Sequence, residues 1–196
     1  MRGDERVNKN NRKGFTLAEL LIVVAIIAVL VAISIPIFHA QLRKARLATN
    51  QANGRAAFSA AEAAYLDYVA EHGSVPINKN SNHQDVTYTY FPAAGKGILN
   101  FTLGSMQWLY GSTSNSGVDV SGNIDISSWT VNTVLSDTNK VGDYIARIWT
   151  IHMDPSNGKI TGYYCAFPKN TDPKYNEILK SFANGTESTW QQEDTR

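Results

Sequence analysis

The sequence predicts an α+β fold in which one long N-terminal helix precedes an antiparallel β-sheet. Three observations support this prediction. Apolar residues fill most of positions 15–38, and no polar side chain interrupts them between Leu20 and Ile33. Small and apolar residues then recur at three- and four-residue spacing as far as Ala70, which is typical of a helix. Beyond Gly73 the chain holds most of its aromatic residues, in short runs separated by turn residues, as strands do.

The composition excludes several classes of protein. The 196 residues are 43% hydrophobic and 18% charged, with a net charge of +1 and one cysteine. This balance excludes a disordered chain, a small disulfide-held protein and a strongly basic nucleic-acid-binding protein. The chain after residue 38 is too polar to cross a membrane again, so a multispanning transporter or channel is excluded. Cys165 alone can form no disulfide within the chain, so the globular part must be stabilised by packing.

Residues 1–14 are predicted to form a cytoplasmic leader peptide. They carry five basic and two acidic residues, and five minus two gives a net charge of +3. Such an excess favours a cytoplasmic N-terminus. The bias is modest, because Arg43, Lys44 and Arg46 follow the apolar segment on its other side.

Residues 15–38 are predicted to form a transmembrane helix. As a helix they would extend about 36 Å, which is enough to cross a bilayer. Glu19 is an ionisable residue inside this segment and needs a partner. That partner is either a cation, such as an N-terminal ammonium, or the positive helix N-terminus near the headgroups. Pro36 removes one helical hydrogen bond and is expected to bend or locally open the helix.

Residues 39–72 are predicted to continue the same helix beyond the membrane and to end near His72. Gly73 can cap the C-terminus and Pro76 follows it. The many alanines allow close approach to a sheet or to another helix, whereas Gly54 is the weakest interior point. The repeating small and apolar positions are Leu42, Ala45, Thr49, Ala52, Ala56, Ser59, Ala63, Leu66 and Ala70. Four basic residues could contact phospholipid headgroups or acidic groups of a partner, or remain in solvent; they are Arg43, Lys44, Arg46 and Arg55.

Residues 73–196 are predicted to form a globular head built on an antiparallel sheet. A hairpin is expected around the turn at residues 154–158, and residues 111–122 are expected to form a polar loop. A short helix should begin at Asp172-Pro173 and run to about Phe182, closed by Asn184-Gly185. The strand candidates are residues 85–91, 98–103, 124–131, 144–153 and 160–167.

No pattern in the sequence predicts catalysis. The four histidines and Cys165 lack the spacing of zinc or thiol sites, and residues 95–97 lack that of a phosphate-binding loop. Asp119, Asn123 and Asp125 could supply oxygen ligands to calcium, but a polar turn is the favoured interpretation. The tryptophans could form a carbohydrate-binding surface, but their alternation in strands favours the core; they are Trp108, Trp129, Trp149 and Trp190.

The order of residues around the start of the apolar segment resembles a known processing signal. A basic leader and Gly14 precede Phe15, Thr16 and Leu17, and these are followed by Glu19, the apolar run and Pro36. This order is similar to the class III signal peptide of type IV pilins and of the related pseudopilins. The resemblance covers residues 9–70, and beyond them only the architecture is similar.

The resemblance implies a structural protein rather than an enzyme, with no cofactor beyond the calcium that some pseudopilins bind. Prepilin peptidase would cut after Gly14 on the cytoplasmic face and methylate the new N-terminal Phe15. The helix would anchor the precursor in the membrane and then form the core of a helical homopolymer at the cell surface. Glu19 of one chain would pair with the N-terminal ammonium of a neighbour, and Thr16, Leu17 and Pro36 are further assembly residues.

The same resemblance implies partners and leaves alternatives open. Assembly would need a membrane platform protein and a cytoplasmic ATPase, and no specific nucleic acid is implied. A pseudopilin of a type II secretion or DNA-uptake system would share the whole N-terminal signal. A singly anchored surface binding domain would keep the helix but never polymerise.

Overall fold

The computed structural model confirms the predicted α+β class. It describes residues 14–76, 86–101, 118–119, 125–136, 139–166 and 173–186. The chain divides into two compact units, residues 1–41 and 42–196. Within the described residues, a long helix precedes antiparallel strands and a second, shorter helix.

The long helix, α1, comprises Leu17–His72 and remains helical through Pro36. It begins two residues later than the predicted segment, because Phe15 and Thr16 precede it in non-helical conformation. Its end agrees with the prediction: Gly73 has a φ of +81° and donates its N–H to the carbonyl oxygen of Val69 at 2.8 Å. This left-handed glycine closes the helix.

In the first unit, α1 is apolar on all sides. One 18-residue window has a mean hydropathy of 3.2, and none of it is buried in the structure. Large apolar side chains from Phe15 to Phe38 are between 48% and 92% exposed. By length and composition this segment can cross a membrane.

In the second unit, α1 buries one face. The repeating small and apolar positions found in the sequence lie mostly on a different, exposed face. The buried residues are Asn50, Gly54, Ala57, Ala61 and Tyr65. Of the repeating positions only Leu42 is partly buried; the exposed ones are Ala45, Thr49, Ala52, Ala56, Ser59, Ala63, Leu66 and Ala70. Small residues occur all round this half of α1, so their spacing predicts the helix without choosing the face that packs against the head.

The head is built on an antiparallel sheet with the strand order β2-β1-β6-β7-β3. Its strands are β1 (Val86–Phe91), β2 (Lys96–Asn100), β3 (Val118–Asp119), β6 (Ile148–Met153) and β7 (Ile160–Ala166). A separate pair consists of β4 (Val134–Ser136) and β5 (Asn139–Lys140). β6 and β7 form the predicted hairpin, in which Trp149 lies opposite Cys165.

Several strand predictions need correction. Of the candidate strand 124–131, the described residues 125–131 are not a strand, because Ile126–Ser128 form a 3₁₀ helix whose N-cap Asp125 accepts the backbone N–H of Ser127. Residues 144–147 precede β6 without belonging to it, since the carbonyl oxygen of Tyr144 and the N–H of Ala146 bind the Asn50 side chain of α1. The predicted loop at 111–122 contributes β3, and the short β4 and β5 carry too few residues for a periodic signal. Residues 102–110, 123–124 and 167–172 lie outside the described chain.

The two faces of the sheet carry two apolar clusters. On one face Trp149 and Tyr163 pack with Ala57 and Ala61 of α1. On the other face, α2 (Pro173–Asn184) places Ile178 and its buried neighbours against Phe91, Ile98 and Ile148 of the strands. Gly185 follows α2 with a φ of +69°, in agreement with the predicted closure.

The tryptophan prediction is confirmed where it can be compared. Trp149 is fully buried and Trp129 is 9% exposed. Their rings stack with centroids 5.9 Å apart. Trp108 and Trp190 lie outside the described residues.

Candidate processing and assembly site

The Gly14–Phe15 peptide bond lies in an exposed, non-helical segment directly before α1. Gly14 and Phe15 are both exposed, and the Phe15 side chain is 92% exposed. A Cβ added at Gly14 would meet no atom within 4 Å. A peptidase needs an extended, accessible backbone, because a bond inside a helix is held by hydrogen bonds and surrounded by side chains. The Gly14–Phe15 bond lies outside the helix, and no side chain surrounds it at Gly14.

Thr16 and Glu19 form a reciprocal cap at the start of α1. The backbone N–H and the hydroxyl of Thr16 both donate to Glu19 Oε2, each at 2.8 Å. In return, the backbone N–H of Glu19 donates to Thr16 Oγ1 at 3.2 Å. This arrangement is a capping box, which satisfies N–H groups that the first helical turn leaves unpaired. The Thr-x-x-Glu spacing at residues 16–19 is the sequence signal of a capping box, but the cap was not among the predictions from the sequence.

Of the two partners that the sequence analysis offered for Glu19, the cap corresponds to the helix N-terminus. In this uncleaved chain the carboxylate accepts hydrogen bonds from Thr16 rather than from a cation. Cleavage after Gly14 would leave both Thr16 donors in place and would create an ammonium group on the adjacent Phe15. A carboxylate has about four acceptor positions. Glu19 can therefore keep its cap and still accept an ammonium from the same or another chain.

The surface that follows the cap is almost entirely apolar. From Leu20 to Ile33 every side chain is apolar and exposed. Ser34 Oγ donates to the carbonyl oxygen of Leu30 at 2.7 Å, so its hydroxyl is satisfied within the helix. Such a surface requires lipid or the apolar surfaces of other chains as its surroundings.

Two of the four basic residues on α1 bind the head of the same chain. The sequence analysis had considered only phospholipid headgroups, acidic groups of a partner and solvent as their surroundings. Arg43 Nε lies 2.9 Å from Asp143 Oδ1, and Arg43 Nη2 donates to the carbonyl oxygen of Val131 at 3.0 Å. Arg46 Nη1 donates to the carbonyl oxygen of Asp143 at 2.7 Å. Lys44 and Arg55 are exposed. Arg43 and Arg46 thus attach the segment around Asp143 to the helix.

Asn50 completes this attachment and was missed by the sequence analysis. Its side chain is fully buried. Its Nδ2 donates to the carbonyl oxygens of Val141 and Tyr144, at 3.1 and 2.8 Å, and its Oδ1 accepts the N–H of Ala146 at 2.8 Å. A lone asparagine in a helix gives no sequence signal of this kind, because its partners lie more than 90 residues away.

The calcium candidates do not form a described cluster. Asp125 Oδ1 accepts the backbone N–H of Ser127 at 2.9 Å and also the Ser127 hydroxyl. These hydrogen bonds hold the pKa of Asp125 below its usual range. Asp119 lies in β3, and Asn123 is outside the described residues. Among the residues that the structure describes, no three His, Cys, Asp or Glu side chains are grouped as a metal site would require.

Comparison with known protein families identifies the signal at the N-terminus. The model of the prokaryotic N-terminal methylation motif matches residues 9–35. Residues 9–35 thus carry the class III signal of type IV pilins and pseudopilins. The motif indicates a structural subunit, and together with the apolar helix it fits a membrane-anchored precursor. No curated protein and no solved structure gives a significant match to the chain.

Proposed function

We propose that this chain is a prepilin that is cleaved after Gly14, N-methylated on Phe15 and polymerised into a type IV pilus-like surface filament. One observation carries the proposal: the methylation motif at residues 9–35 coincides with an exposed, non-helical Gly14–Phe15 bond. The leader, with its net charge of +3, stays on the cytoplasmic side, where the peptidase acts. The head is exported.

Polymerisation uses the apolar segment of α1. In the membrane this segment contacts lipid tails, and in a filament it contacts the same segment of other copies. Lipid tails are as apolar as these side chains, so apolar burial alone gives little net drive for the exchange. The resemblance to type IV pilins implies that an assembly ATPase and a membrane platform protein drive this exchange.

Glu19 supplies the specific electrostatic contact in this assembly. The cap of Thr16 fixes its carboxylate at the start of α1. In apolar surroundings a carboxylate needs a charged partner, and the new ammonium of Phe15 on a neighbouring chain is the one that processing creates. The contact forms only after cleavage, which links processing to assembly.

The processing step is tested by the N-terminus of the chain from purified surface filaments. Mass spectrometry should identify N-methylphenylalanine, from Phe15, as the first residue, and an intact Met1 would contradict the proposal. Gly14→Leu should block cleavage, whereas Gly14→Ala should be cut at least partly. Open space surrounds Gly14 in the structure, so both variants keep the same fold and the difference reports on the peptidase. Immunoblots of the membrane fraction control for expression.

The assembly step is tested with Glu19→Val. This variant should still be cleaved but should form no filaments, because the carboxylate that receives the ammonium is missing. Glu62→Val on the exposed outer half of α1 is a matched control for loss of one acidic residue. A singly anchored binding domain would function normally with Glu19→Val, and its chain would be absent from purified filaments.

Filament length separates a pilin from a pseudopilin of a secretion or DNA-uptake system. Both share the motif at residues 9–35. Long surface filaments containing this chain, seen by electron microscopy after immunogold labelling, support the pilin. Short structures confined to the cell envelope would assign the chain to the pseudopilins.

A further inference from the structure

The chain contains three Asn-Gly dipeptides, and the structure places them in three different settings. They are Asn53-Gly54, Asn157-Gly158 and Asn184-Gly185. In such a dipeptide the backbone nitrogen of the glycine can attack the side-chain amide carbon of the asparagine, because glycine has no side chain to hinder the approach. The first and the third share the tripeptide Ala-Asn-Gly, so a difference in their reactivity must come from the fold.

At Asn53 the helix prevents this attack. Asn53 and Gly54 lie inside α1, where each backbone N–H is held by the carbonyl oxygen four residues earlier. Gly54 is also buried, and it faces Ile126 and Trp149 of the head. The glycine nitrogen therefore cannot turn towards the amide carbon unless the helix opens where it contacts the head.

At Asn157 hydrogen bonds within the hairpin turn prevent the attack. The N–H of Gly158 donates to the carbonyl oxygen of Asp154 at 2.8 Å. Both ends of the Asn157 amide are held as well, since Nδ2 donates to Asp154 Oδ2 at 3.2 Å and Oδ1 accepts the N–H of Lys159 at 2.8 Å. Three hydrogen bonds must open before the glycine nitrogen can reach the amide carbon.

Neither obstacle is present at Asn184, the last residue of α2. Asn184 and Gly185 are both exposed. Within the described residues, neither the side-chain amide of Asn184 nor the backbone N–H of Gly185 makes a hydrogen bond. The glycine that ends α1, Gly73, instead donates its N–H to Val69 at 2.8 Å. A Cβ added at Gly185 would meet no atom within 4 Å, so open space surrounds the two reacting groups.

We propose that Asn184 is a site of spontaneous deamidation in the folded head. The backbone nitrogen of Gly185 loses its proton to the solvent and attacks the side-chain carbon of Asn184, which forms a new N–C bond and releases ammonia. The resulting succinimide ring is opened by water at either of its two carbonyl groups, which gives aspartate or isoaspartate. Water is the only co-reactant and no group is oxidised or reduced. The site does not depend on the proposed function.

Either product weakens the end of α2. The new carboxylate lies at the helix C-terminus, where the helix dipole disfavours a negative charge. Isoaspartate also adds one carbon to the backbone between Ser181 and Thr186, whose carbonyl oxygen and N–H form the hydrogen bond, 2.9 Å long, that closes the helix. Phe182 in this last turn packs on Phe91, with ring centroids 5.4 Å apart. Loosening the turn therefore exposes the apolar cluster between α2 and the sheet.

Peptide mapping of the full chain in a mild detergent measures the three sites in one sample. After incubation for several days at pH 8, a short trypsin digestion places the asparagines in separate peptides, residues 47–55, 148–159 and 181–196. Mass spectrometry then distinguishes amide from acid. Asn184 should react roughly tenfold or more faster than Asn157, because three hydrogen bonds protect the latter. Incubation at pH 5 should leave Asn184 largely intact, because the attacking nitrogen must lose its proton.

The identical tripeptides at residues 52–54 and 183–185 provide the decisive control. In the folded chain Asn184 should react much faster than Asn53, and in urea the two should react at similar rates. Equal conversion of both in the folded chain would overturn the proposal. A preference for Asn184 that persisted in urea would overturn it too, because the fold would then not be the cause.

Asn184→Gln tests the consequence for α2. Its longer side chain would have to close a larger ring that forms more slowly, so this variant should show no conversion at position 184 and an unchanged near-ultraviolet circular dichroism. After equal incubation at pH 8, the unsubstituted chain should unfold at a lower urea concentration than before, whereas Asn184→Gln should not. Equal losses in the two chains, or no loss in either, would contradict a weakening of α2 through Asn184.

Discussion

Replacing Gly54 with alanine tests the packing of α1 on the head, because two physical effects predict opposite signs. Intrinsic helix propensity favours alanine over glycine by about 1 kcal/mol, so an isolated helix would become more stable. In the structure, however, a Cβ at Gly54 would lie 2.6 Å from Ile126 Cδ1 and 2.9 Å from two ring carbons of Trp149. Carbon atoms in contact are normally about 3.5 to 4.0 Å apart. The added methyl group therefore overlaps its neighbours by about 1 Å.

The mobility of the neighbours decides the size of the effect. Ile126 Cδ1 is the end of a side chain and can rotate away. The Trp149 ring is fully buried, stacked on Trp129 and 5.9 Å from the Tyr163 ring, so it has no space to move. Overpacking of a rigid core costs about 1 to 3 kcal/mol, which exceeds the gain in propensity. We expect Gly54→Ala to lower the free energy of unfolding by about 1 kcal/mol.

Urea titration of the full chain in a mild detergent, followed by near-ultraviolet circular dichroism of the aromatic cluster, measures this effect. Ala48→Gly on the exposed side of α1 measures the propensity term alone and should cost about 1 kcal/mol. Adding Ile126→Val to Gly54→Ala removes one overlapping atom and should recover part of the loss. If Gly54→Ala is instead more stable than the unsubstituted chain, the close approach of Gly54 to Trp149 is wrong.

Three further predictions concern the head. Asn50→Ala should lower the free energy of unfolding by about 3 to 5 kcal/mol, because it leaves two carbonyl oxygens and one N–H unpaired in the core. A loss below about 1 kcal/mol in the same urea titration would contradict the role of Asn50 in attaching the head to α1. Gly158→Ala should lower the free energy of unfolding more than Gly185→Ala. Both glycines have positive φ, but only at Gly158 would a Cβ meet a side chain, the ring of Tyr65. Equal shifts of the urea midpoint would show that the ring moves aside. Burial raises the pKa of the Cys165 thiol to about 12. The folded chain should therefore resist a maleimide at pH 8 and react only when denatured, as mass spectrometry would show. The free energy of unfolding should also fall above about pH 9, because there the thiol ionises in the unfolded chain but not in the folded one.

Features with a local cause were predictable from the sequence. The length of α1, its end at Gly73 and the hairpin around residues 154–158 depend on periodicity and on turn residues that are neighbours in the chain. The cap formed by Thr16 and Glu19 has the same local character, and its spacing would have revealed it. The candidate strand 124–131 was wrong over its described residues 125–131, because the side chain of Asp125 competes for backbone N–H groups, an effect that apolar alternation does not register.

Features that join distant segments were not predictable. Gly54 was expected to be a weak point of the helix, but it lies where the Trp149 ring approaches the helix backbone. Arg43 and Arg46 were expected to meet lipid, a partner or solvent, but they bind the segment around Asp143. Each of these contacts joins residues roughly 90 or more positions apart, and no pattern within a short window records them.

The sequence by itself determined where the N-terminal methylation motif lies and which segment can cross a membrane by length and composition. Both properties reside in consecutive residues, a glycine before a phenylalanine and an uninterrupted apolar segment, so they need no tertiary contact. Only the tertiary structure decided which side of α1 the head covers. Small residues surround the outer half of that helix, so its sequence permits close packing on several sides. The partners of Asn50, Arg43 and Gly54 select the side towards the head and leave the repeating small positions exposed.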